Sequence, residues 1–166
     1  YIVNQISNSQ SENAINFNKF DTIEQIVLQI IIMFESNIHM DSLIKCSEFV
    51  TETLLGKGVN YRYEILDRLI KLEQIHIIKN ENTKVLIYHD LLFYALREHF
   101  KNSIIRKQMS YIILQFIKRN ETMLLDNGLD YSNLEYFIVK LCYISQCNKW
   151  QEKVFAHFDR IFKQHK

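Results

Sequence analysis

The sequence predicts an all-α protein, and three observations carry that expectation. The 166 residues contain no proline and only three glycines, Gly56, Gly58 and Gly128, so the residues that interrupt helices are nearly missing. From Asp21 onward, apolar side chains recur at the i, i+3, i+4, i+7 spacing of amphipathic helices. Capping-box sequences stand where three of these stripes begin: Asp21 with Glu24, Ser132 with Glu135, and Asn148 with Gln151.

Residues 1–20, YIVNQISNSQSENAINFNKF, are rich in Asn, Ser and Gln and have no period that would bury a face. They read as a polar N-terminal extension, leaving 21–166 as the helical domain. The first helix follows Asp21 and buries Ile23, Ile26, Val27, Ile30, Ile31 and Phe34. A second, from about Asp41, uses Leu43, Ile44, Val50, Leu54 and Leu55 and is stopped by Gly56 and Gly58. Asn60 caps a third whose apolar set is Ile65, Leu66, Leu69, Ile70 and Leu72. The stretch KNENTK, Lys79 to Lys84, reads as a polar loop, and a fourth helix continues from there to about His99 through Val85, Leu86, Leu92, Ala95 and Leu96. Asn102 and Ser103 cap a fifth, with Ile105, Met109, Ile112, Ile113, Phe116 and Ile117, and Lys118 and Arg119 complement its C-terminal dipole. A helical turn over Glu121 to Asp126 ends near Gly128. The last two helices start at the remaining capping boxes and bury Leu134, Phe137, Ile138, Leu141 and Cys142, then Val154, Phe155, Phe158, Ile161 and Phe162. No strand is expected.

Other classes lose support on composition. The longest apolar run, Ile26 to Phe34, contains Gln29 and is far shorter than the ~18 residues of a membrane span. Cys46, Cys142 and Cys147 are odd in number and sit in helical stretches, which fits a reducing, intracellular setting better than a disulfide framework. The chain lacks an initiating Met, so it reads as a piece of a larger intracellular protein, cytoplasmic or nuclear.

Catalytic and metal sites are not expected. Cys142 and Cys147 followed by His157 and His165 echo a zinc pattern, but five positions on one helix turn the two thiols about 140° apart. His89 beside Asp90, and His99 beside Glu98, are adjacent and diverge by about 100°. Glu64, Asp67 and Glu73 share a helix with Arg62, Arg68 and Lys71, which reads as solvated intrahelical pairing. No catalytic residue, metal ligand or cofactor is assigned.

The functional signal is charge. Residues 1–60 carry three lysines and seven acids. By contrast, Arg97, Lys101, Arg106, Lys107, Lys118 and Arg119 face only Glu98 between positions 97 and 119. On the last helix Lys149, Lys153, His157 and Arg160 fall on one face. The candidate contact set is therefore Arg97, Lys101, Arg106, Lys107, Lys149, Lys153 and Arg160, with Tyr111 and Trp150 as aromatic anchors for an acidic or amphipathic protein segment. A nucleic-acid backbone is the less favoured ligand, because a pI of 7.9 falls short of a dedicated nucleic-acid domain.

Alternate expected helices start near residues 22, 61 and 103, a step of about 40 residues that matches the repeat unit of HEAT and armadillo proteins. Over 21–164 the chain resembles a short, irregular HEAT/armadillo-like stack of antiparallel helices, without the proline habitual in the first HEAT helix. The resemblance implies a non-catalytic interaction or scaffolding module. The alternative is a compact bundle around the apolar helix containing Ile112, Ile113, Leu114, Phe116 and Ile117. In size, helix number and Ile/Asn/Lys-rich composition that version is similar to poxviral proteins of the apoptosis-regulator fold, without the Asn-Trp-Gly-Arg motif of their cellular relatives. It implies an apoptosis or signalling inhibitor that holds an amphipathic helix in an apolar groove.

Overall fold

The helix launched by Asp21 is the most enclosed element among the described residues, 19–146 of the computed structural model. This helix, α1 (Thr22–Met33), buries ten of its twelve residues, including Glu24 and Gln29. A helix apolar on all sides belongs inside a core, and each fully buried Ile or Leu contributes about 1.5–3 kcal/mol. The capping box forms as the sequence predicts: Glu24 N–H donates to Asp21 Oδ1 at 2.8 Å, and Asp21 N–H to Glu24 Oε1 at 3.1 Å. The C-terminus closes in a Schellman turn without glycine. Ser36 N–H reaches Ile31 O and Glu35 N–H reaches Ile32 O, each at 3.0 Å, with Glu35 left-handed at φ 53°.

The elements that follow are β1 (Ile38–His39), α2 (Met40–Leu55), α3 (Arg62–Gln74), β2 (Ile78–Glu81), β3 (Lys84–Ile87) and α4 (Asp90–Lys101). α2 begins at His39, whose Nδ1 accepts from Asp41 N–H at 3.1 Å, and ends at Gly56 with φ 125°, a conformation open to glycine. The N-cap of α3 is Tyr61, which makes no side-chain cap; Asn60, expected to cap it, lies one residue earlier, where its Oδ1 accepts from Arg62 N–H at 3.0 Å. α3 ends in a second Schellman turn, Ile77 N–H to Leu72 O and His76 N–H to Glu73 O, with His76 left-handed at φ 60°.

The class is all-α, with one small sheet where the sequence reading placed a loop and the start of a helix. Lys79 to Lys84 are the tip of a hairpin, and the helix assigned from residue 84 begins at Asp90 instead. β3 lies between β1 and β2, antiparallel to both, in the order β1-β3-β2. Asn82 and Thr83, at φ 52° and 67°, form a two-residue turn between the paired Glu81 and Lys84, the geometry whose twist suits a hairpin. Val85 and Ile87 are buried on alternate positions of β3, and Ile38 pairs with Val85. Met40 N–H donates to Thr83 O at 2.8 Å and ties the hairpin tip to the start of α2. α1 packs against α2, α3, α4 and β3, so this first unit, which ends at Ser103, is organised around α1.

A second unit begins at Ile104. Its described elements are α5 (Arg106–Arg119), α6 (Glu121–Asp126) and α7 (Tyr131–Ser145). α5 packs along α7 through buried Met109, Ile112, Ile113, Phe116 and Ile117 against Leu134, Phe137, Leu141 and Cys142. Asn102 and Ser103 do not cap α5: its N-cap is Ile105 and makes no side-chain cap. α7 starts after Asp130, so the Ser132–Glu135 pair sits inside the helix. α6 ends where expected, in a Schellman turn with Gly128 at φ 92°. Alternate helices α1, α3 and α5 begin at residues 22, 62 and 106. The N-terminal extension before residue 19, Cys147, and the helix expected after Asn148 lie outside the described residues.

Candidate functional site

Of the predicted contact residues, Arg97 and Lys101 lie on α4, and Arg106, Lys107 and Tyr111 on α5; Lys149, Trp150, Lys153 and Arg160 lie outside the described residues. Arg97 and Lys101 share the exposed face of α4 with Tyr94, because positions four apart stack on one face. The Arg97 guanidinium sits 5.0 Å from the Tyr94 ring centroid and 5.9 Å from that of Phe93, within reach of cation–π attraction. On α5, Lys107 and Tyr111 are also one turn apart and exposed, and Lys107 Nζ donates to Gln146 Oε1 at 3.1 Å. Arg106 is half-buried.

α3 presents a surface that the sequence reading missed. Ile65, Leu69 and Leu72 are buried as expected, but Leu66 and Ile70, assigned to the same core face, are 36% and 56% exposed. Tyr63 is 79% exposed. At 100° per residue, Tyr63, Leu66 and Ile70 fall within about 60° of one another, on a stripe centred about 125° round the helix from the buried trio. The helix therefore has two apolar faces, one inside the unit and one outside. The available signal was width: five aliphatic residues and a tyrosine between 63 and 72 are more than one buried stripe requires.

The cations of α3 are engaged within the unit. Arg68 Nε donates to Asp21 Oδ2 at 2.6 Å and its Nη1 to Asp67 Oδ2 at 3.0 Å. Lys71 Nζ lies 3.6 Å from Glu24 Oε1, on a carboxylate side chain that is only 3% exposed. Arg62 Nη1 donates to Glu48 Oε1 at 3.0 Å. The expected pairing within the helix is thus realised only between Asp67 and Arg68, and the other pairs bind α3 to the start of α1 and to α2. Burial alone would raise the Asp21 pKa. The hydrogen bond from Glu24 N–H and the Arg68 guanidinium outweigh it and hold the carboxyl below its ordinary 3.8. The hydrogen bond to Asp21 in turn raises the Arg68 pKa.

Among the described residues, no three His, Cys, Asp or Glu side chains are grouped to hold a metal ion. Cys46 and Cys142 are buried, and burial pushes the Cys46 thiol far above its ordinary value. His89 and His99 are exposed, on or just before α4. No helix among the described residues is long and apolar enough to cross a membrane. Comparison with known proteins returned no matching family model, no matching curated protein and no matching solved structure.

Proposed function

We propose that the chain is a non-catalytic protein-interaction module whose docking element is the outward face of α3. The first unit is read as a winged helix-turn-helix: α2 and α3 are the helix pair, and the β2–β3 hairpin that follows is the wing. In such an arrangement the second helix of the pair meets the ligand. The observation that carries the choice of a protein ligand is the surface of that helix. Its cations Arg62, Arg68 and Lys71 are held by carboxylates of the same unit, while Tyr63, Leu66 and Ile70 face outward. An exposed Tyr and two aliphatic side chains suit the apolar centre of a protein interface. Across residues 19–103 acids outnumber bases, which opposes phosphate binding.

The test is capture from extract on the immobilised chain, comparing the native protein with a Tyr63→Glu/Ile70→Glu variant and an Arg97→Glu/Lys101→Glu variant. Proteins retained by the native chain are expected to be lost with the first and kept with the second. The opposite pattern moves docking to the basic face of α4 and an acidic segment. The connectivity itself favours a second reading, nucleic-acid binding through α3 and the wing. Binding of labelled duplex that falls steeply between low and moderate salt would favour it over the first.

A further inference from the structure

We propose that the outward face of α3 takes a second copy of this chain, packed antiparallel about a two-fold axis. This rests on the reading that the face is a docking surface, and it names the occupant. The charged residues of α3 are antisymmetric about the Asp67–Arg68 bond: Arg62 mirrors Glu73, Glu64 mirrors Lys71, and Asp67 mirrors Arg68. Laid antiparallel on its own copy, such a helix sets positions of opposite charge at the same height.

Two of the mirrored pairs also share flanks. At 100° per residue, Arg62 and Glu73 lie within about 20° of each other on one side of the apolar stripe, and Glu64 and Lys71 lie within about 20° on the other. A two-fold axis in the plane of contact brings like flanks together. Arg62 therefore meets Glu73 of the second copy twice by symmetry, and Lys71 meets Glu64 twice. The apolar residues obey nearly the same centre. Tyr63 faces Ile70 of the second copy, and Leu66 sits beside its counterpart near the axis. The two centres differ by one residue, about 1.5 Å along the helix, within the reach of Arg, Lys and Glu side chains. The 3–4 spacing of 63, 66 and 70 is that of a coiled-coil seam. Arg62 and Lys71 also bind Glu48 and Glu24, but their side chains remain 52% and 57% exposed and keep further N–H donors for a neighbour.

The test is sedimentation velocity of the whole chain from about 1 µM to about 500 µM, a range that spans weak to moderate association. A shift from monomer to dimer is expected. Glu73→Arg and Arg62→Glu, tested separately, each place two like-charge contacts in the homodimer and should weaken it about tenfold or more. Mixed in equal amounts, the two variants should pair with each other at close to native strength. One of the two symmetry-related contacts is then the native Arg62–Glu73 pair, and the other is the same pair with its charges exchanged. The cis double variant Arg62→Glu/Glu73→Arg should also recover. Thermal melts by circular dichroism show that each variant is folded. A monomer throughout the range, a dimer indifferent to either substitution, or a mixture no stronger than its components overturns the proposal. If extract proteins still depend on Tyr63 and Ile70 in that case, the docking face stands and only its occupant is wrong.

Discussion

Replacing Asp21 tests whether the first unit is fastened as described. One Asp21 oxygen caps α1 by accepting from Glu24 N–H at 2.8 Å, and the other receives Arg68 Nε at 2.6 Å. Asp21→Ala removes both contacts. Loss of an N-cap costs about 1 kcal/mol. The Arg68 pair is discounted to about 0.5 kcal/mol, because the Asp21 side chain is 41% exposed and partly screened by water. Asp21→Ala should therefore destabilise the unit by about 1.5 kcal/mol, whereas Asp21→Asn keeps an acceptor oxygen and should cost only about 0.5 kcal/mol. Urea denaturation at pH 7 followed by circular dichroism gives both values, and a cycle with Arg68→Met isolates the pair. Acid should narrow the gap between native and Asp21→Asn. The folded pKa of Asp21 lies below its ordinary 3.8, so its contribution is complete above that value and is lost as pH falls through the lower, folded one. Equal losses for Ala and Asn at pH 7, or an Ala variant within about 0.3 kcal/mol of native, would refute the two-contact account.

Two further outcomes follow from the fold. Thr83 is a β-branched residue at φ 67° in the hairpin turn, so Thr83→Gly, which creates Asn-Gly, should raise stability by about 1 kcal/mol in the same urea assay. Cys46 and Cys142 are buried and should remain unmodified by an aromatic disulfide reagent in the native protein but react in urea, as read by peptide mass spectrometry.

Helices announced by side-chain caps, glycines or strong stripes were legible in the sequence. Asp21 with Glu24, Gly56 and Gly128 all act where they were expected to. The hairpin was not legible, because its turn is Asn-Thr rather than Asn-Gly and its strands are only four residues long. Val85 and Leu86 continue the apolar spacing of Leu92 and Leu96, so a helical period passed through a strand. The ends of α1 and α3 were hidden for a related reason. Glu35 and His76 adopt left-handed backbones that sequence statistics reserve for glycine, and only the surrounding Schellman bonds reveal why. The exposed apolar face of α3 was missed because Leu66 and Ile70 carry the same sequence signal whether they face a core or the outside. Only the position of α1, which takes Ile65, Leu69 and Leu72 to the inside, separates the two.

The pairing of α3's cations bears directly on the choice between protein and nucleic acid. For Arg68 to engage a phosphate it would have to leave Asp21 and Asp67, and Arg62 and Lys71 would bring charges already shared with Glu48 and Glu24. Releasing Arg68 strips the N-cap of α1 of its charge partner. Withdrawing Lys71 leaves Glu24, whose side chain is 3% exposed, as a buried carboxylate without its counter-charge, and an uncompensated buried charge costs several kcal/mol. On the hairpin, Lys79 already lies 3.4 Å from Glu81 and Lys84 donates to Asn37 at 2.9 Å. A phosphate backbone would thus have to be paid for in lost fastening of the unit. A protein surface that covers Tyr63, Leu66 and Ile70 gains from side chains the fold leaves exposed and asks none of its ion pairs to break.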